Sequence, residues 1–375
     1  MGRLVVAHAA VLASADGLTA AEPDPRVADI LARTITVDLH NHGGLPPQAG
    51  SPSGGRRPQG GPTIVESMAR ARDSVVCLAN APDGGLMQVG AGAPDPGTRS
   101  NLKRDPKPGE MFDGHRAAEA QYDAMFTAHP SLMRVRTWAD IEQARREQRP
   151  AIIQDTEGAD FLEKGHLDRL EAAYTRGLRK VQLVHYAVND IADFQVGPVE
   201  HGGLSAFGAD VVRACQKLGV IVDTAHMTFD GVKGVVKAAT RPVLLSHTAL
   251  YDSKAQAGFG AEGFRGGLET LRARQVKPEH AKLVAETGGV VGVWHLFANA
   301  ERYVQGVREM VDLVGVDHVA IGMDWAVERV NQIWDGQTEG LMPAVVGEML
   351  KQGFSPDECS RIAGGNACRV LKACL

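Results

Sequence analysis

The chain has few cysteines, no long apolar run and no excess of positive charge, and each shortage removes a class of protein. Its five cysteines (Cys77, Cys215, Cys359, Cys368, Cys374) show no Cys-x-x-Cys spacing, and an odd number argues against a complete disulfide framework. Most read as plain buried thiols. No uninterrupted apolar stretch approaches the roughly 20 residues needed to span a bilayer, so no transmembrane segment is expected. Lys and Arg (40) are outnumbered by Asp and Glu (45), giving a formal charge of −5, and the basic residues are scattered. Nucleic acid is therefore not an expected partner. No Gly-x-Gly-x-x-Gly turn follows the first strand-like run, which counts against a dinucleotide-binding open sheet.

What is present suits a large α/β protein. A hydrophobic fraction of 44% over 375 residues supplies a substantial core. The first 21 residues, with Arg3, then Leu4 to Ala13, then small residues near Ala13-Ser14-Ala15 and Thr19-Ala20-Ala21, have the outline of a secretory signal. The short apolar part, broken by His8, fits a disordered cytoplasmic tail equally, so cytoplasmic and exported locations both stay open. Residues 1–33 are read as this tail with a lead-in helix over Val27 to Ala32, and residues 34–375 as a single barrel domain.

Short β-branched runs recur along the chain: Ile35-Thr36-Val37, then 74–79, 151–155, 180–184, 220–223, 242–246, 290–294 and 319–323. Helical patterns separate them, including Ile64 to Asp73, Phe207 to Leu218, Phe229 to Ala239, Pro278 to Glu286 and Tyr303 to Leu313. Eight strand–helix units predict a closed (β/α)8 TIM barrel of parallel strands. Two Gly/Pro-rich stretches, Gly43 to Pro62 and Asn80 to Gly114, are read as irregular loops that shape the rim. Ser355-Pro356-Asp357-Glu358 begins a last helix that packs on the barrel.

The chemistry of such a barrel sits at the C-terminal ends of its strands. There the sequence lines up His40 and His42 after strand one, Glu157 after strand three, His185 after strand four, His226 after strand five, His247 after strand six and Asp324 after strand eight. Residues two apart on a strand share a face, so His40 and His42 can reach one point. Four histidines and a carboxylate exceed the needs of one catalytic zinc, which takes about three protein ligands. Glu157 is then the natural bridge between two ions about 3.5–4 Å apart, which hold a hydroxide between them.

These residues fall in stretches that resemble the renal, or membrane, dipeptidases, zinc peptidases of the amidohydrolase superfamily. The resemblance runs from Val37 to about Leu371. It is carried by Asp38-Leu39-His40-Asn41-His42, Thr156-Glu157-Gly158, Leu183-Val184-His185 with Asn189 and Ala192-Asp193, and Gly203-Leu204-Ser205. Val222-Asp223-Thr224-Ala225-His226, Leu245-Ser246-His247, Asp317 to Asp324, and Gly364-Gly365-Asn366 complete it. It implies two zinc ions per chain, or another divalent metal in their place. His40 and His42 would bind one, His226 and His247 the other, and Glu157 would bridge. His185 would polarise the scissile carbonyl, Asp324 would carry the proton to the leaving amine, and Arg274 would grip the terminal carboxylate of a small dipeptide. The resemblance also implies tolerance of a D-residue at the C-terminal side.

Two departures stand out: His42 replaces the family's usual acidic ligand, and Tyr251 to Gly267 is longer than expected ahead of Arg274. An alternative keeps the metal site but assigns a lactone, an N-acyl amino acid or a cyclic amide as substrate. A non-catalytic barrel is disfavoured, because unpaired polar groups at one rim are costly. A homodimer is one assembly the chain could form, and nothing in the sequence fixes it. His115, His129, His166, His201 and His280 are read as surface, His318 as structural, and His295 as a residue that could line the pocket.

Overall fold

The computed structural model describes residues 24–43, 45, 61–87, 102–256 and 267–375, the side chains of 267 and 268 excepted. The signal-like stretch, most of the loop after the first strand and much of the Gly-rich segment before Arg274 lie outside these residues. Eight strands form the centre: β1 Val37–Asn41, β2 Val75–Asn80, β3 Ala151–Glu157, β4 Leu178–Gln182, β5 Ile221–Asp223, β6 Leu244–Thr248, β7 Val290–Val293 and β8 Val319–Ile321. Each pairs in parallel with the next, and Ile321 of β8 pairs with Asp38 of β1, which closes the (β/α)8 barrel. All positions of these strands are buried, as expected of parallel strands covered on both faces. A two-residue strand, Met133–Arg134, adds to the start of β3 and is too short to leave a pattern in the sequence.

One apolar layer fills the lower half of the barrel. Val37, Leu39, Cys77, Ala151, Ile153, Ile221, Leu244, Val290 and Ala320 pack there against Ala367, Val370 and Leu371 of the C-terminal helix Asn366–Cys374. That helix is reached through a capping box of Ser355 and Glu358 and a turn at Gly364. A side chain at Gly364 would run into the carbonyl of Ile35. Asn366 Nδ2 then donates to the carbonyls of Val316 and Val319. Interior glycines Gly292 and Gly322 answer the same constraint, since a Cβ on either would strike the Ser246 carbonyl.

Three expectations need correction. Residues 80–114 are not irregular throughout, because the helix Glu110–Ala128 starts inside them. Its cap is Gly109 with no side-chain bond, so the usual start signal is missing. His115 is buried against Phe161, ring centroids 3.9 Å apart, and His280 is buried as well, so neither is a surface residue. All five cysteines are free, and four are buried. Among the described residues no helix is long and apolar enough to cross a membrane.

Candidate metal centre

The upper rim is built where β1 and β8 are stitched together. His40 accepts the Asp324 amide at its carbonyl (2.9 Å), and the His42 amide donates to Trp325 (2.7 Å). Beneath them the Asp38 carboxylate accepts the amides of Met323 and His40 and the Asn41 side chain. His226 and Asp324 both take left-handed backbone conformations, φ 67° and 52°. Side chains with a Cβ seldom occupy that region, and such strain concentrates at functional sites.

Glu157 stands at the middle of the group. His226 Nε2 lies 3.1 Å from its Oε1, His40 Nε2 3.5 Å and His247 Nε2 3.7 Å. His42 Nε2 and His185 Nε2 approach Oε2 at 3.5 and 3.4 Å. Asp324 Oδ1 is 3.2 Å from His42 Nε2. The residues divide into two sets with metal-ligand geometry, His40, His42, Glu157 and Asp324 on one side and Glu157, His226 and His247 on the other. Glu157 belongs to both.

Three of the imidazoles have polar groups behind them. His185 Nδ1 donates to Asp83 (2.6 Å), whose other oxygen accepts the amides of Tyr186 and Ala187. His40 Nδ1 faces Asp155 at 3.4 Å. Arg274 Nη2 lies 3.2 Å from His247 Nε2, and an arginine can only donate, so that nitrogen carries a lone pair. The His247 proton is then on Nδ1, 2.9 Å from Ser246 Oγ.

Electrostatics follow from burial and from the partners. Burial alone would push the Glu157 carboxyl up, but His185, His40 and His226 outweigh it and hold it well below the usual range. Burial opposes protonation of His185, yet Asp83 and Glu157 raise its pKa. His226 and His247 are pushed down by burial and by neighbouring positive charge, so they stand as neutral rings. Neither ring nitrogen of His40 or of His226 completes a hydrogen bond, although both residues are buried. Buried polar atoms without partners cost roughly 1–3 kcal/mol each. Imidazoles converging on one shared carboxylate are the donor set of a divalent metal such as zinc, and the residues fit it.

Every residue singled out in the sequence for this site is brought together here, including Arg274, whose Nη1 donates to Tyr186 Oη (2.6 Å). His295 sits behind the Asp324 turn, its Nδ1 2.5 Å from the Met323 carbonyl and its ring 4.5 Å from Trp325. His318 donates to the Gly289 carbonyl at the opposite end of the barrel. Asp83, Tyr186 and Asp155 were not anticipated. Asp83 follows β2 in Pro82-Asp83-Gly84-Gly85, three residues past the strand end and inside a stretch read as irregular loop.

The membrane dipeptidase profile (peptidase family M19) matches residues 102–258 and 268–374, well over half of the chain. Glu157, His185, His226, His247, Arg274 and Asp324 lie within the match, while His40, His42 and Asp83 precede it. Curated relatives include dipeptidase aclJ of Aspergillus oryzae, 25% identical over 59% of this chain and 52% of its own length. Another is dipeptidase verJ of Clonostachys rogersoniana, 24% identical over 70% of this chain and 66% of its own. The chain thus spans between half and two thirds of the length of these relatives. Among solved structures, the probable dipeptidase PvdM from Pseudomonas aeruginosa superposes with a TM-score of 0.70 at 18% identity, over 92% of this chain and 97% of that one. A metallo peptidase from Rhodobacter sphaeroides, bound to a phosphinate mimic of L-Ala-D-Ala, gives 0.69 at 17% identity, over 91% and 100%. At these identities the likeness is one of fold.

Proposed function

The chain belongs to the membrane dipeptidase family, and from that premise we propose that it is a dinuclear zinc dipeptidase that hydrolyses the amide bond of small dipeptides. The observation that carries this is the gathering of four imidazoles and Asp324 around the shared Glu157 carboxylate, with a buried arginine beside them. His40 and His42 would hold one ion, His226 and His247 the other. When bound, the ions would acidify a water to a pKa of about 7, hence a nucleophile at neutral pH.

The remaining work falls to the protein. His185 holds one proton on Nδ1 against Asp83, and the two carboxylates near it favour a second on Nε2. That Nε2–H donates to the carbonyl oxygen as negative charge develops there, a placement that favours the transition state over the substrate. Asp324 is held ionised by His247 and His42 against the effect of burial. Its Oδ1 takes the proton of the attacking water and delivers it to the amide nitrogen as the carbon–nitrogen bond breaks.

Arg274 selects the substrate. Two of its nitrogens face Tyr186 and His247, but its Nε is buried with no hydrogen-bond partner. A planar guanidinium with an unused donor suits a carboxylate, here the C-terminus of the dipeptide. Acceptance of a D-residue at that end belongs to the same proposal, and the L-Ala-D-Ala mimic bound by the similar R. sphaeroides protein supports it.

The test is hydrolysis of L-Xaa-L-Xaa and L-Xaa-D-Xaa dipeptides, with free and amidated C-termini, by the wild type and Arg274→Met. For free acids the variant should lose roughly 10–100-fold in kcat/KM, the worth of a hydrogen bond to a charged group, with little change for amides. Cleavage of lactones or N-acyl amino acids but not dipeptides would overturn the substrate assignment, as would an equal loss on acids and amides.

A further inference from the structure

One fully buried cation lies just below the imidazoles. Lys180, on β4, places its Nζ 2.6 Å from Asp155 Oδ2 and 2.6 Å from Asp223 Oδ2, and all three side chains are inaccessible to solvent. Moving an ammonium and two carboxylates out of water is expensive, and such a group is weak evidence for stability on its own account. Apolar residues fill the layer beneath, so the barrel can be packed without it.

The two carboxylates lead upward to different half-sites. Asp155 Oδ2 is 3.4 Å from His40 Nδ1. Asp223 Oδ1 accepts the amides of Ala225 (3.1 Å) and Ser246 (2.9 Å), each one residue before a histidine of the other half-site, His226 and His247. Between them stands a single ammonium on the intervening strand. Carboxylates behind a ligating imidazole fix its ring orientation and tautomer. An apolar side chain in place of the ammonium would remove the contact that fixes both carboxylates to one point.

We propose that Lys180 is a positioning residue that sets both metal half-sites at once, acting on His40 through Asp155 and, through Asp223, on the backbone that carries His226 and His247. The proposal rests on the metal reading of the centre. Lys180 bridges the two carboxylates and holds them in register.

Stepwise Zn2+ affinities by chelator competition, and the visible spectrum of the Co2+-loaded protein, test this on Lys180→Met, Asp155→Asn and Asp223→Asn. Circular dichroism of each metal-free protein checks that it folds. Asp155→Asn should weaken one stepwise constant about 10–100-fold, the usual worth of such an outer partner. Asp223→Asn should weaken the other, because an amide there must turn its NH2 either toward Lys180 or toward the strand-end amides. Lys180→Met should weaken both and shift the Co2+ bands. A folded Lys180→Met with both constants and the spectrum unchanged overturns the proposal. If Lys180→Met does not fold, the two Asn variants decide, and weakening of the same constant by both, or of neither, overturns it. A wild type that binds no metal removes the underlying metal reading and the proposal with it.

Discussion

His185 is held by one carboxylate and faces another, and that arrangement decides what the ring can do. Asp83 accepts from Nδ1 at 2.6 Å while Nε2 looks toward Glu157 at 3.4 Å. Asp83→Asn should therefore lower kcat about tenfold or more while KM changes little, since proton-holding groups in such roles contribute about 10²–10⁴-fold. Its pH–rate profile should also lose the limb belonging to His185. An unaltered kcat in a folded variant would contradict this role. The pair shows where sequence reading stops. His185 was visible because a histidine at a strand end is rare and suited to the chemistry. Asp83 stands three residues past Asn80, the end of β2, in a Gly/Pro-rich loop, and only the fold shows that this loop reaches across to β4.

At the scale of elements, the helix Glu110–Ala128 docks on the segment Asp160–Gly165 through the stacked His115 and Phe161. Burial, aided by the nearby Arg116 charge, pushes the His115 pKa down to about 3. Glu119 lies 3.7 Å from its Nε2 and pairs with Arg116. The folded protein keeps this ring neutral while the unfolded chain protonates it below about pH 6.5. Its contribution to stability is therefore full above that pH and falls as the pH drops from about 6.5 toward 3, by up to about 1.4 kcal/mol per pH unit. His115→Phe, which keeps the stack and gives up no hydrogen bond, should flatten the acid side of the unfolding free energy measured in urea at pH 7 and pH 5. Parallel profiles for the two proteins would contradict it. This helix was the element least legible in the sequence, because its Gly109 cap gives no side-chain signal. Helices capped by Ser205, Thr228 and Asn299 were read to within about three residues at each end, since those side chains accept the first free amides.

For the molecule as a whole, the barrel was legible because parallel strands buried on both faces leave near-continuous β-branched runs, and eight of them alternate with helices. The gathering of His40, His42, Glu157, His226, His247 and Asp324 at one rim was legible too, once strand ends were taken as the place to look. The ion layer beneath was not. Lys180, Asp155 and Asp223 each read as ordinary strand residues, and only the pairing of β3, β4 and β5 brings both carboxylates within 2.6 Å of the Lys180 nitrogen. The barrel thus rises from an apolar floor through a charged layer to a rim of imidazoles, and that rim is costly unless a metal completes it. Metal content of the purified protein, measured together with dipeptide cleavage on the same sample, tests this most directly. Two zinc ions per chain are predicted, with cleavage lost to a chelator and regained on adding zinc; a chain that cleaves dipeptides at full rate without metal, or takes up none on reconstitution, would contradict the account.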